Sequence, residues 1–216
     1  MKDTYRSTAH ALGDALRHVI EQGGKCSLGV LHQRVTPADV LTGFDGTTQS
    51  AHIRSRLDRL PAIARALLVV SYAPRVIVCN CGAACCARHR PNPEYAAALT
   101  VLLAHIEPLL TGRVLNVPLR SALVENVLRH TRETNLSIAQ RCGTHRSTVA
   151  DHLTVIEAAL VGTRERTGEF DGAFLRIDTL LREAGIVGDA TEAQAVQASG
   201  LTAGEHQHER CAAVAC

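Results

Sequence analysis

Tryptophan is absent, and Phe and Tyr contribute three residues each, so aromatics make up only 3% of the chain. Hydrophobic residues nonetheless reach 46%, which puts the apolar load on Ala, Leu and Val and suits packed helices rather than a β-sandwich. Lysine is nearly missing as well: Lys2 and Lys25 are the only two among 23 basic residues, leaving 21 Arg. Arginine favours bidentate contact with phosphate or guanine, although coding bias produces the same excess. Neither sign of charge dominates, since 23 basic residues face 21 acidic ones for a net +2, and whole-chain electrostatics do not announce a nucleic-acid binder. No uninterrupted apolar run reaches the roughly 18 residues of a membrane span. The start, Met1 to Ile20, carries His10, Asp14 and Arg17 where a secretory signal needs a compact apolar stretch. These absences predict a cytoplasmic protein without membrane contact. In that setting the eight cysteines read as thiols or metal ligands rather than a disulfide framework. Phosphate loops, dinucleotide fingerprints, H-E-x-x-H and G-x-S-x-G are all missing, so no enzyme is expected.

What the chain does have is helical spacing. Ala9, Leu12, Leu16, Val19 and Ile20 predict a helix over 5–22 that stops at Gly23 and Gly24. Residues 26–46, interrupted by Gly29, Pro37, Gly43 and Gly46, read as turns and a short element. Further helices are expected from about Thr48 to Leu60 and from Pro61 to Tyr72. Another follows Asn92 and Pro93 as far as Leu110, one starts at Pro118, and the last spans Ala173 to Glu183. The expected class is all-α: a helical N-terminal region over 1–74, a Cys-rich zinc turn over 75–97, and a helical domain over 98–188 holding a tri-helical helix-turn-helix. A tail over 189–216, rich in Ala, Gln, Thr, Glu and His, is expected to be disordered.

The segment from Leu136 to Leu153 is the most informative. Ala139 is small where two helices cross closely, Gly143 falls four residues later where a turn needs left-handed backbone, and Val149 falls six later to pack into the angle. Ile138, Cys142 and Leu153 complete the apolar interior. This spacing resembles the helix-turn-helix of bacterial and phage transcription factors. The resemblance implies that the second helix, 146–160, lies in the major groove of double-stranded DNA and presents His145, Arg146, Ser147, Ala150, Asp151 and Thr154 outward. Arg146 suits guanine O6 and N7 or a phosphate, Ser147 a phosphate or base edge, and Asp151 cytosine N4. Many relatives place a serine cap before this arginine; here His145 stands there, with Thr144 before it.

Charge is local rather than global. Between Arg54 and Arg90 seven Arg face the single acid Asp58, a surplus of six that suits either phosphate or ion pairs with acids elsewhere. From Gly112 to Arg166 eight Arg face five acids, a net of only +3, so a lone DNA-binding unit here needs help from a homodimer, the Arg54 to Arg90 surface, or a partner such as RNA polymerase.

Cys79, Cys81, Cys85, Cys86 and His89 stand within eleven residues. Tetrahedral zinc takes four nitrogen or sulfur donors at about 2.0–2.3 Å, and a Gly-containing loop can wrap three or four of these five around one ion. Packed reduced thiols or an oxidation-sensitive pair remain the competing readings. The C-x-C-x3-C-C spacing, followed by Arg90, Pro91, Asn92, Glu94 and the aromatic Tyr95, resembles uncharacterised helix-turn-helix proteins of phages and prophages, with Ala87, Arg88 and Tyr95 departing from that group's pattern. The ending from Leu175 to Gly188 resembles it too. The resemblance implies DNA binding in control of phage genes, akin to the phage Q-type late antiterminators. Two other classes compete. A recombinase needs a catalytic Ser or Tyr on a sheet, whereas Tyr5 and Ser7 lie in a helical pattern. A zinc-stabilised module that touches polymerase rather than DNA fits the weak local charge.

Overall fold

The computed structural model describes residues 5–22, 43–79, 87–110 and 116–188, with backbone alone at 19–22 and 43–45. The tail over 189–216, Gly112 and all cysteines except Cys79 and Cys142 lie outside the described residues.

Among the described residues the fold is mostly helical, with eight α-helices, one 3-10 turn and one small hairpin. In chain order these are α1 (Thr8–Gln22), α2 (Gly43–Leu57), α3 (Ala62–Tyr72), strands β1 (Val76–Val78) and β2 (His89–Pro91), α4 (Pro93–Ile106), a 3-10 turn (Glu107–Leu110), α5 (Val117–Arg129), α6 (Asn135–Cys142), α7 (Arg146–Leu160) and α8 (Glu169–Glu183). No helix among them is long and apolar enough to cross a membrane.

Helix α3 sits at the centre. Its run Ala66, Leu67, Leu68, Val69 and Val70 is buried on every side, as an all-round apolar helix must be. It packs against α1, α4, α5 and α8, and one apolar cluster from Tyr5 to Val187 draws residues from every helix. Such a helix has few ways to satisfy its last carbonyls. Arg129 of α5 supplies the donors, reaching Val70 O at 3.1 Å and Ala73 O at 2.7 Å, while its guanidinium lies 5.7 Å from the Tyr95 ring centroid. Beside it, the Tyr95 hydroxyl donates to Glu125 Oε1 at 2.7 Å, and Arg75 pairs with Glu125 Oε2 at 3.0 Å. The ends of the described core are tied together as well: Tyr5 forms a parallel bridge with Val187, and Thr8 Oγ1 donates to Asp178.

Several boundaries depart from the sequence expectation. Helix α1 begins at Thr8 instead of residue 5, because Ser7 accepts from His10 N and Tyr5 is taken by its bridge. Helix α2 begins at Gly43, running through two glycines that read as breakers; burial of Ile53 and Leu57 against α1 outweighs a local propensity cost of about 1 kcal/mol per glycine. Helix α8 begins at Glu169, four residues early. Its cap is Gly168, where a Cβ would strike the backbone of Leu160 and Val161. The hairpin β1–β2 is an addition to the all-α expectation. Three-residue strands carry too little alternation to be read from sequence, and pairing rather than propensity makes them.

Tyr95→Phe is expected to cost about 1–3 kcal/mol in urea denaturation, because it strips the buried Glu125 carboxylate of one of its two donors and leaves only Arg75. Burial, and after it the Glu125 hydrogen bond, pushes the Tyr95 hydroxyl well above its ordinary range. A raised folded-state value means that stability is present below the unfolded tyrosine pKa and is lost as pH rises past it. The Phe variant should show a shallower alkaline decline, since burial raises Tyr5 and Tyr72 as well and their shares persist, and an unchanged decline would remove the assigned role.

Candidate nucleic-acid interface

Helices α5, α6 and α7 pack on one another, and each start is fixed by a side chain. Asn116 caps α5 by accepting from Leu119 N at 3.0 Å, while its amide donates to Cys142 O at 3.1 Å and so pins the end of α6. Thr134 caps α6, accepting from Ser137 N at 3.3 Å. Gly143 then turns the chain with φ 63° and ψ 39°, and Thr144 N closes back onto Ala139 O at 3.0 Å, the six-to-one bond of a Schellman turn. Left-handed backbone at this corner is what the position of Gly143 predicts. Behind it Ile138, Ala139 and Val149 are buried, with Cys142 and Leu153 partly buried against the same cluster.

His145 is the cap of α7. Its Nδ1 accepts from Ser147 N at 3.3 Å and lies 2.8 Å from Ser147 Oγ, so the imidazole takes the place of the serine expected there. The helix accordingly starts at Arg146. His145, Arg146, Ser147, Asp151 and Thr154 are exposed, with Ala150 half-buried among them, so the six residues named from sequence share one outward face. Arg146 has no hydrogen bond or ion pair among the described residues. His152, which sequence reading passed over, faces inward at 2% exposure; its Nδ1 donates to Thr148 O at 2.7 Å and its Nε2 has no partner among the described residues. Its three- and four-residue spacing from Val149 and Ile156 was the available signal.

Much of the local arginine is already engaged. Arg141 is held by Glu133 at 2.6 Å, and Glu133 sits below its ordinary range because the Ser137 and Arg141 hydrogen bonds outweigh a desolvation effect of opposite sign. Arg120 is buried, 3.7 Å from Glu107. Within the Arg54 to Arg90 stretch, Arg54 and Arg65 converge on Glu94 at 2.9 Å each, Arg65 also pairs with Asp58, and Arg75 pairs with Glu125. Glu94, outside the counted stretch, is the acid that sequence counting missed. Arg132, Arg146, Arg164 and Arg166 stay exposed with no side-chain partner among the described residues.

Of the cysteine-rich segment, Cys79 at the end of β1 and residues 87–89 leading into β2 are described. Cys79 N donates to Arg88 O at 2.8 Å, which closes the hairpin just before the loop, and Cys79 is half-buried. His89 is exposed, and its Nδ1 donates to Ala87 O at 3.1 Å, leaving Nε2 as the nitrogen open to an ion. The other three proposed donors, Cys81, Cys85 and Cys86, lie outside the described residues. Among the described residues no three His, Cys, Asp or Glu side chains gather as a metal group.

Comparison with protein-family models, with curated proteins and with solved structures finds no match to this chain.

His145→Ala is expected to lower stability by about 1 kcal/mol through loss of the cap, with His145→Ser recovering most of it, as read by urea midpoints. A similar loss of about 1–2 kcal/mol is expected for Gly143→Ala, where a Cβ would meet no neighbour and only the left-handed backbone is penalised. A neutral Gly143→Ala would count against the corner described here.

Proposed function

We propose that this chain is a sequence-specific, DNA-binding transcription regulator of phage or prophage type, with α6 and α7 as its helix-turn-helix and the start of α7 in the major groove. The observation that carries this reading is the exposed edge formed by His145, Arg146, Ser147, Asp151 and Thr154 beyond the left-handed corner at Gly143, with an unpaired arginine at its head. Arg146 reads guanine or grips phosphate, Ser147 reaches a phosphate or base edge, and Asp151 accepts from cytosine. Among the described residues, Arg132, Arg164 and Arg166 are further cations of the same segment without a side-chain partner, and they supply nonspecific affinity.

Gel shifts on the promoter region upstream of the protein's own coding sequence test it. Arg146→Ala should weaken binding by about 1–3 kcal/mol, roughly five- to 150-fold. Equal retention of wild type and variant at low and moderate salt overturns the assignment.

The hairpin loop is the proposed zinc site, drawing its donors from Cys79, Cys81, Cys85, Cys86 and His89. Closure of the strand ends at Cys79 and Arg88, and the Nδ1–H tautomer of His89, support it. Elemental analysis of untagged protein should find about one zinc per chain, and less than a tenth of an equivalent removes the metal. A second reading, an interaction module for RNA polymerase with little DNA readout, is favoured by the ion pairs that consume Arg54, Arg65, Arg75 and Arg141. Co-elution with purified polymerase, together with no DNA retention at low salt, would select it.

A further inference from the structure

Between the starts of α3 and α8 and the end of α4 lies a cavity of about 280 Å³. Its floor is aliphatic, made by Ile63, Ala64 and Leu67 of α3 and by Ala173 of α8, of which all but Ile63 are buried. Its rim is open to solvent and carries three ionisable side chains, His105 of α4 and Glu169 and Arg176 of α8. Two of these satisfy each other: His105 Nε2 lies 2.8 Å and 3.0 Å from the two carboxylate oxygens of Glu169. Arg176 is exposed and has no hydrogen bond or ion pair among the described residues. The rim therefore has its acid engaged and its guanidinium open. Gly172, one turn before Arg176, lines the same space. Glycine is the poorest helix former after proline, yet α8 runs through it. No packing contact asks for it, since a Cβ at 172 would meet no atom within 4 Å. What the missing side chain does is leave the cavity clear beside the arginine.

We propose that this cavity binds a small carboxylate with an aliphatic tail, the tail on the floor and the head on Arg176. Volume sets the size. At about 30 Å³ per water the space equals roughly nine waters, near the lower edge of the roughly 300–1,000 Å³ of ligand sites, so a medium-chain acid of about eight carbons fills it. Charge sets the head. A carboxylate matches the planar fork of a guanidinium through two parallel N–H···O bonds. An alkylammonium of the same length would instead face Arg176 with like charge and find Glu169 already taken by His105. The lining sets the tail: it contains no aromatic ring on which an aryl group could stack, and its buried surface is that of methyl and methylene groups.

This inference is independent of the DNA-binding reading, and its test contains no DNA. Isothermal titration calorimetry of the full chain with sodium octanoate, with reductant present, should show saturable binding at one site with a Kd of about a millimolar or tighter. In wild type the amide resonances of Ala64, Gly172 and Arg176 should shift along the same titration, a readout that needs no variant. Arg176→Leu, at an exposed position, should weaken octanoate by about tenfold or more. It should leave 1-octanol, which has the tail without the charge, bound as in wild type. Gly172→Leu fills the cavity and should abolish binding of both. Its urea midpoint should match or exceed that of wild type, because leucine is the better helix former and its Cβ meets no neighbour. Leu175→Ala, on α8 but outside the cavity, should bind octanoate as wild type does. No saturable binding by wild type, amide shifts confined to other residues, or octanoate affinity indifferent to Arg176→Leu would overturn the proposal. So would binding that survives Gly172→Leu, or n-octylamine bound more tightly than octanoate.

Discussion

The C-terminal carbonyls of α3 set the constraint from which the rest of the arrangement follows. An apolar helix buried on all sides cannot leave those groups to water, and the backbone that follows turns away into the hairpin. Arg129 answers from α5, and the answer fixes more than α3. It places the end of α5 against the end of α3, brings Tyr95 of α4 under the guanidinium, and sets Glu125 one turn earlier where Arg75 at the hairpin base can reach it. Four elements thus meet around one arginine, and α6 and α7 inherit their position from α5.

Legibility in the sequence followed the size of the local signal. The apolar spacing of Leu12 and Leu16, the pair Asn92 and Pro93, and the trio Ala139, Gly143 and Val149 each rest on contacts or dihedrals set within a few residues, and each element appears where that spacing puts it. Gly43 and Gly46 were misleading because tertiary burial of α2 overrides their local preference. Glu169 to Gly172 fall outside the helix that the sequence predicts because the glycine at 172 interrupts an amphipathic pattern that the packing of α8 against α3 restores. The hairpin was illegible: Val76 to Val78 is as apolar as a helical stretch, and its partner, His89 to Pro91, has no alternation to show.

Charge tells a similar story at longer range. A surplus of six over Arg54 to Arg90 is an arithmetical fact about a segment, yet Glu94 and Glu125 neutralise three of those arginines from other helices. Only a folded chain reveals which cations are spent. Arg146 could not be separated from Arg141 by counting. What separates them is Glu133, one turn ahead of Ser137 and able to grip Arg141 because Thr134 starts α6 where it does.

The cap of α7 imposes a chemical polarity on the edge beside it. A serine in that place would offer an oxygen able both to give and to receive. His145 spends its only lone pair inside the protein, on Ser147. In the tautomer in which Nδ1 accepts from Ser147 N, the remaining ring nitrogen bears the proton, and a molecule meeting the tip of this helix finds a hydrogen-bond donor there. Carbonyl, ring-nitrogen and phosphate oxygen surfaces are compatible neighbours for it, and an exocyclic amine is not.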